Sequence, residues 1–529
     1  MQLHFSRYTI SEMNPKQQML RSSVVVAFFN LLGGLSGILV ETSIAANLGL
    51  SLRSDTFYVA YTIPYIITNL LSATGQFSLV PFFSSLESTK DEKELWHGFS
   101  YVTNVLVLGL GAISVVGALA SPWIIHGIAP GFTHQQDVLA TQLSRWLFLI
   151  VVPAGIGEVL RSFLLSRHYF ALSTASGFIR NVASIAVILL GFHRYGPQSI
   201  FLGYLAGYLL QLAVLGFQIL KSFRPRYSLI FTASGESFSN LRGAGTAQLA
   251  GAMAWQAVVI VERIIASFLP AGTLTALNYG FRILGTLAEL LGGSVGTAAL
   301  PMLSRAVTSG NREQEHKTFR DTLEISLILL SPMAVFCLML PHNVIRLVFQ
   351  RGQFTVEATE IMTMIFFYYS LSLLPFAFVR LLNFCLFARR EPGVYLRLTL
   401  LHYGLVLVFD LFYTGVLRLG AMGIPLGFLT GSLLACGLAI RRNLGDLDVT
   451  LDRVLGRFAL KNIVAALIAT LMVEALRFWL PRPNTGYQDF TFLCITCGMG
   501  SVAYLATLAA LRALPMAQLA LLWSRENAS

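Results

Sequence analysis

The phrase LGYLAGYLL at Leu202 returns as LGFLTGSLL at Leu426, and three other phrases return with it. Glu41 in LVETSIAANL is matched by Glu262 in IVERIIASFL, and Pro81 in VPFFSSLES by Pro301 in LPMLSRAVTSG. GFT at Gly131 is matched by GQFT at Gly352. The prolines lie 220 residues apart, the glutamates 221, Phe132 and Phe354 222, and Gly203 and Gly427 224. Matches in one order at one slowly drifting spacing mean that a unit of about 220 residues is duplicated. All of them sit in or beside long apolar segments. A duplicated apolar bundle is the sequence signature of a membrane transporter.

Only 12% of the 529 residues are charged and 55% are apolar, far from the balance of a soluble domain. A helix needs roughly 20 apolar residues to cross the hydrocarbon. Fourteen segments qualify, near 24–48, 56–84, 100–122, 143–166, 170–192, 198–220, 245–269, 272–304, 318–340, 360–388, 394–416, 420–440, 458–479 and 489–511. The expected fold is an all-α polytopic membrane protein. The second and eighth spans are long enough to require a break, which Pro64 and Gly75 in one, and Gly285, Gly292 and Gly293 in the other, can supply. Each repeat holds six spans, an even number, so both copies enter the membrane from the same side as parallel repeats. The expected organisation is a cytoplasmic segment 1–21, an N-lobe 22–220, a polar and basic linker 221–244, a C-lobe 245–440, and two further spans with a tail over 441–529. No stretch is long enough for a soluble catalytic head.

A net charge of +11 raises the question of nucleic acid, and the placement of the charges answers it. With the N-terminus in the cytoplasm, 24 of the 37 Lys and Arg lie at the cytoplasmic side and 7 at the outer side, the remainder being inside spans. That asymmetry is the positive-inside pattern and predicts both termini in the cytoplasm. The basic balance then records orientation and contact with anionic lipid, with no nucleic-acid partner. All five cysteines lie in spans, and the CxxC of Cys494 and Cys497 reads as packing in an apolar helix. The polar first 20 residues lack the apolar core of a cleavable signal, so the first span is expected to act as an uncleaved one.

Ionisable groups inside hydrocarbon cost several kcal/mol unless they face water or a partner, which makes each a functional candidate. Arg282, in NYGFRILG, lies deep in the eighth span and shares a face with Glu289 two turns on. It is either half of an Arg–Glu pair holding helices together or a cation lining a cavity for an anionic headgroup. Glu41 and Glu262 are repeat mates, so they occupy equivalent depths and suit coupling or gating; both can also reach interfacial water. Arg161 and Glu158 share a face and read as an internal salt bridge. Arg180 is mid-span. Asp410, in VLVFDLFY, suits Na⁺ or H⁺ binding, or else packs against Arg180 or Arg380. His402 reads as a hydrogen-bonded packing residue. There is no HExxH, P-loop or Ser-His-Asp spacing, so no catalytic constellation is visible.

Several stretches together resemble the MurJ/MviN family of lipid II flippases, within the multidrug/oligosaccharidyl-lipid/polysaccharide exporter superfamily. They are RSDTFYVAYTIP from Arg53, GQFSLVPFFSSL from Gly75, ASPWIIHGIAPGF from Ala120, NYGFRILG and GTAALPMLS between Asn278 and Ser304, and FQRGQFT from Phe349. The resemblance covers about the whole chain. It implies two six-helix lobes around a cationic cavity, moving an undecaprenyl-linked peptidoglycan precursor across the bacterial inner membrane by alternating access, with the last two helices serving the lipid tail. It implies substrate-binding roles for Asp55 and Arg282, which match the family's acidic residue opening the second span and its arginine in the eighth. Glu41 also matches an acidic position. Thr68 and Asn69 stand where members carry an Arg-Arg pair, and Gly285 stands where they carry an acid. Arg180 and Glu289 join the expected substrate site, with Arg380 as a further cation. A Na⁺ site like that of some members falls on Glu262, Asp410 and Thr430, with H⁺ as the alternative coupling ion. The expected state is a monomer. Two other functions fit the same architecture: a cation-coupled exporter of small amphipathic compounds, and a non-transporting scaffold for envelope assembly.

Overall fold

The structure is a computed structural model that describes residues 15–88, 91–232, 246–444 and 449–513, apart from 482, 484 and 485. Among the described residues every regular element is helical. Thirteen helices, or fourteen with one bent pair, are long and apolar enough to cross a membrane. They are α1 (Phe28–Leu48), α2 (Leu52–Glu87), α3 (Glu92–Ile128), α4 (His134–Ser166), α5 (Phe170–Tyr195), α6 (Gln198–Ser222) and α7 (Thr246–Ala266). The series continues with α8 (Thr273–Thr308), α9 (Arg312–Met339), the bent α10 (Val356–Leu371 and Leu373–Ala388), α11 (Pro392–Val416), α12 (Gly420–Arg441), α13 (Gly456–Trp479) and α14 (Tyr487–Ala510). All fourteen expected spans are present.

Local chemistry sets where these helices start and bend. Ser51 and Ser54 form a reciprocal capping box at α2, and Thr133 with Gln136 does the same at α4. Thr355 caps α10 through Ala358 N. The threonines of the repeated GFT and GQFT phrases are therefore both helix caps. The second and eighth spans contain a turn of π-helix each, at Gly75–Leu79 and Ala288–Gly293, where the sequence expects breaks. At Gly75 a Cβ would meet the carboxylate of Glu158 at 2.7 Å, so glycine there admits the polar side chain of α4.

The chain forms two compact units, Met1–Thr275 with Arg351–Phe354, and Ala276–Gln350 with Thr355–Ser529. In the first, Gly203 and Gly207 of LGYLAGYLL bring α6 against α5, where Cβ atoms would strike Ser184 O at 2.9 Å and Arg180 O at 2.6 Å. In the second, Gly427 and Gly431 of LGFLTGSLL bring α12 against α11, with Cβ positions 2.6 Å from Asp410 N and 2.7 Å from Val406 N. The repeated phrase is thus a close-approach seam of small residues, used twice.

The first unit also contains reciprocal contacts between the repeats. Gln353 N donates to Ala46 O at the end of α1 (2.8 Å), and Gly131 N donates to Ser267 Oγ at the end of α7 (3.1 Å). Gly352 has φ +59° and its Cβ position is filled by Ala46 O, so only glycine fits both the backbone and the space. These contacts carry α7, the start of α8 and residues 351–354 into the first unit.

Of the linker, residues 223–232 run without helix along α3: Asn104 Nδ2 donates to Ser228 O (3.0 Å) and Ile230 O (3.1 Å), and Ser228 N donates to Ser100 Oγ (3.1 Å). Residues 233–245, the N-terminal segment before Pro15 and the tail beyond Ala513 lie outside the described residues. Two features attach α13 and α14 to the second unit. Asn462 donates to Ser331 and accepts from Tyr504 in a buried chain. Asp489, fully buried, pairs with Arg346 of the short helix Pro341–Phe349 at 3.0 Å.

Candidate functional site

Asp55, one turn into α2, is almost fully buried and accepts three bonds: from Gly272 N (2.6 Å), Thr275 N (2.9 Å) and Thr275 Oγ1 (2.6 Å). A carboxylate on the open N–H groups of a helix start meets both their hydrogen-bonding need and the positive end of the helix dipole. Asp55 lies at the start of α2 and Thr275 at the start of α8, the corresponding helix of the second repeat, so equivalent helix starts meet. Two turns beyond Thr275 is Arg282, half-buried on α8. Asp55 therefore anchors the helix from which Arg282 projects.

Glu289 pairs with Arg380 of α10. Its partner lies across the second unit, 91 residues away. Arg380 also lies over the ring of Phe376, 5.8 Å from its centroid. This pair is partly exposed, with side chains 38% and 56% accessible, in helices otherwise apolar. Arg161 bonds Glu158 at 2.9 Å, as their spacing predicts, and Glu158 also accepts from Ser72 of α2.

In the first unit Glu41 accepts a hydrogen bond from Tyr58 of α2. Arg180 lies over the ring of Tyr208, 5.0 Å from its centroid, and reaches Asn181 Oδ1 at 3.4 Å. Asn181 in turn donates to Gly33 O and Ser36 Oγ, tying α5 to α1. Tyr61 stacks on Tyr204 at 5.0 Å and contacts Tyr65 at 5.6 Å. Sequence reading missed this aromatic group. Its signal was present, since Tyr58, Tyr61 and Tyr65 recur at helical spacing on α2, as do Tyr204 and Tyr208 on α6.

Glu262 is half-buried on α7 in the first unit, and its neighbour Arg263 donates to Leu274 O at 3.4 Å. Asp410 and Thr430 belong to the second unit. Asp410 is wholly buried where α11 meets Gly427 of α12. Thr430 donates its hydroxyl to Leu426 O and Gly427 O of its own helix. His402 is buried against Ser432 Oγ at 3.0 Å, the packing role expected of it. Among the described residues no three His, Cys, Asp or Glu side chains gather as a metal cluster would.

Residues 44–492 match the family described as lipid II flippase MurJ. The chain belongs to that family. It is 27% identical over 494 residues to the probable lipid II flippase MurJ of Rhizobium meliloti (strain 1021), covering 89% of each chain. To the lipid II flippase MurJ of Burkholderia cenocepacia it is 24% identical over 435 residues, 79% of this chain and 82% of that one. Its fold is similar to a solved inward-closed lipid II flippase MurJ, with TM-score 0.77 at 20% identity over 93% of this chain and 98% of that one. An inward-facing multidrug MATE transporter of the MOP superfamily gives TM-score 0.66 at 13% identity, covering 81% and 96%. MurJ membership makes the protein a polytopic membrane transporter rather than an enzyme, and the resemblance expected from the short motifs is borne out over most of the chain.

Proposed function

We propose that this protein flips a lipid-linked peptidoglycan precursor of the lipid II type, carried on an undecaprenyl diphosphate, across the bacterial inner membrane. The observation that carries the reading is a half-buried guanidinium, Arg282, deep in an apolar helix of a MurJ-family chain. Such a charge is tolerated where water, a polar protein group or an anion meets it. A diphosphate is an anion that a guanidinium binds well, through paired charge-assisted hydrogen bonds. Arg282 contacts the diphosphate in this reading, with Arg380 as a further cation of the same unit. Glu289 holds Arg380, Glu41 orients Tyr58, and Asp55 acts through the start of α8. Transport proceeds by alternating access, the headgroup shifting the balance between two states of the transporter. In a flippase-depleted strain, Arg282→Ala is expected to abolish growth rescue at unchanged membrane abundance. Full rescue would refute the assignment.

Coupling by Na⁺ or H⁺ is assigned to Asp410 with Thr430 in the second unit, and gating to Glu262 in the first. A buried carboxylate such as Asp410 is a hard-oxygen ligand of the kind that suits Na⁺. NaCl is expected to raise the thermal midpoint of the purified protein above that in KCl, and Asp410→Asn to erase the difference; equal midpoints for the wild type would remove Na⁺. The protein acts as a monomer with both termini in the cytoplasm, which the placement of basic residues favours. A fluorescent protein fused at either end, bright only in the cytoplasm, tests the orientation.

A further inference from the structure

Arg180 lies about ten residues, some 15 Å, into α5, so its half-buried guanidinium is near the middle of the membrane. A charge at that depth is stable only against water or polar groups. What surrounds it is unusual for a membrane interior. Tyr208 lies beneath it and Asn181 beside it, and Tyr204, one turn from Tyr208 on α6, carries the ring on which Tyr61 stacks. The tyrosines form a continuous surface, Tyr65 against Tyr61 and Tyr61 stacked on Tyr204 with planes 26° apart. Tyr61 and Tyr208 are buried and form its back, while Tyr65, Tyr204 and Arg180 are the members left accessible. The seam glycine Gly207 makes the arrangement possible, because a Cβ there would lie 3.1 Å from Arg180 Cγ.

We propose that Arg180 and the Tyr61–Tyr65–Tyr204 surface form a binding site for a glycosyl phosphate, the guanidinium taking phosphate oxygens and the tyrosines taking the sugar. The chemistry follows from the groups. The electron-rich ring faces attract the polarised C–H face of a pyranose, phenol hydroxyls exchange hydrogen bonds with its hydroxyls, and the guanidinium supplies paired donors to phosphate. Apolar drug-like cargo would call for neither the hydroxyls nor the arginine. The site rests on the flippase reading and deepens it, by placing recognition of the sugar within the first unit.

The test titrates the full chain in lipid nanodiscs with lipid II and, separately, with undecaprenyl diphosphate, which has the same tail and phosphates but no sugar. The wild type binds lipid II more tightly. Tyr204→Leu lowers lipid II affinity by roughly fivefold or more, the scale of one lost aromatic contact, and leaves undecaprenyl diphosphate within about twofold. Tyr204→Phe keeps the ring and most of the preference for sugar. Arg180→Gln weakens both ligands about tenfold. Equal weakening of both lipids by Tyr204→Leu, or no change in either, overturns the site. If Arg282→Ala abolishes binding while the Arg180 and Tyr204 variants are silent, this proposal fails and the flippase reading stands. If the wild type binds neither lipid, both fall together.

Discussion

Asp55 shows how a single carboxylate fixes the start of a helix. Its carboxylate is spent on the start of α8, where it satisfies two backbone N–H groups and a hydroxyl. Removing it leaves those donors buried and unmatched. Asp55→Ala is expected to cost about 3 kcal/mol, seen as a lower thermal midpoint of the full chain in detergent. An unchanged midpoint would show that the helix start needs no anchor. The sequence marks Arg282 as significant because charge inside an apolar span is rare, and Asp55 through the family resemblance. It does not reveal their partners. Glu289 shares a helix face with Arg282, yet its carboxylate meets Arg380 on another helix, since the reach of a side chain depends on which helix packs opposite.

Among the elements, the glycine seams matter most. LGYLAGYLL and LGFLTGSLL bring α6 onto α5 and α12 onto α11 at separations a methyl group would block. Gly431→Ala places a Cβ 2.7 Å from both Val406 N and Val406 Cγ2, so backbone must give way, whereas Gly437→Ala on the same helix meets nothing within 4 Å. The first is expected to destabilise by roughly 2 kcal/mol and the second to be neutral or mildly stabilising, judged by thermal midpoint. Similar midpoints for the two would argue against a seam. The spans and the breaks in the second and eighth of them were legible from composition and glycine placement, which act locally. The aromatic surface on α2 and α6 was not, because tyrosines at helical spacing look the same whether they face one another or the lipid.

At the scale of the molecule, the duplication is visible twice, once as repeated words and again as reciprocal contacts. Gly352 of one repeat settles on Ala46 of the other, and Gly131 settles on Ser267. Gly352→Ala suffers both left-handed strain and a blocked contact; Gly310→Ala has a similar φ of +66° and open space. Gly352→Ala is therefore expected to lower the thermal midpoint more than Gly310→Ala, the excess measuring the inter-repeat contact. Equal losses would leave backbone strain as the whole effect. From the sequence alone came the membrane class, the number of spans, the duplication and the family resemblance, because hydrocarbon thickness and positional repetition are written along a single chain. Tertiary structure decided which charges meet, why α7 and residues 351–354 join the first unit, and which aromatic rings gather around Arg180. Those outcomes depend on helix rotation and close approach, quantities that periodicity does not encode and that packing against a neighbour sets.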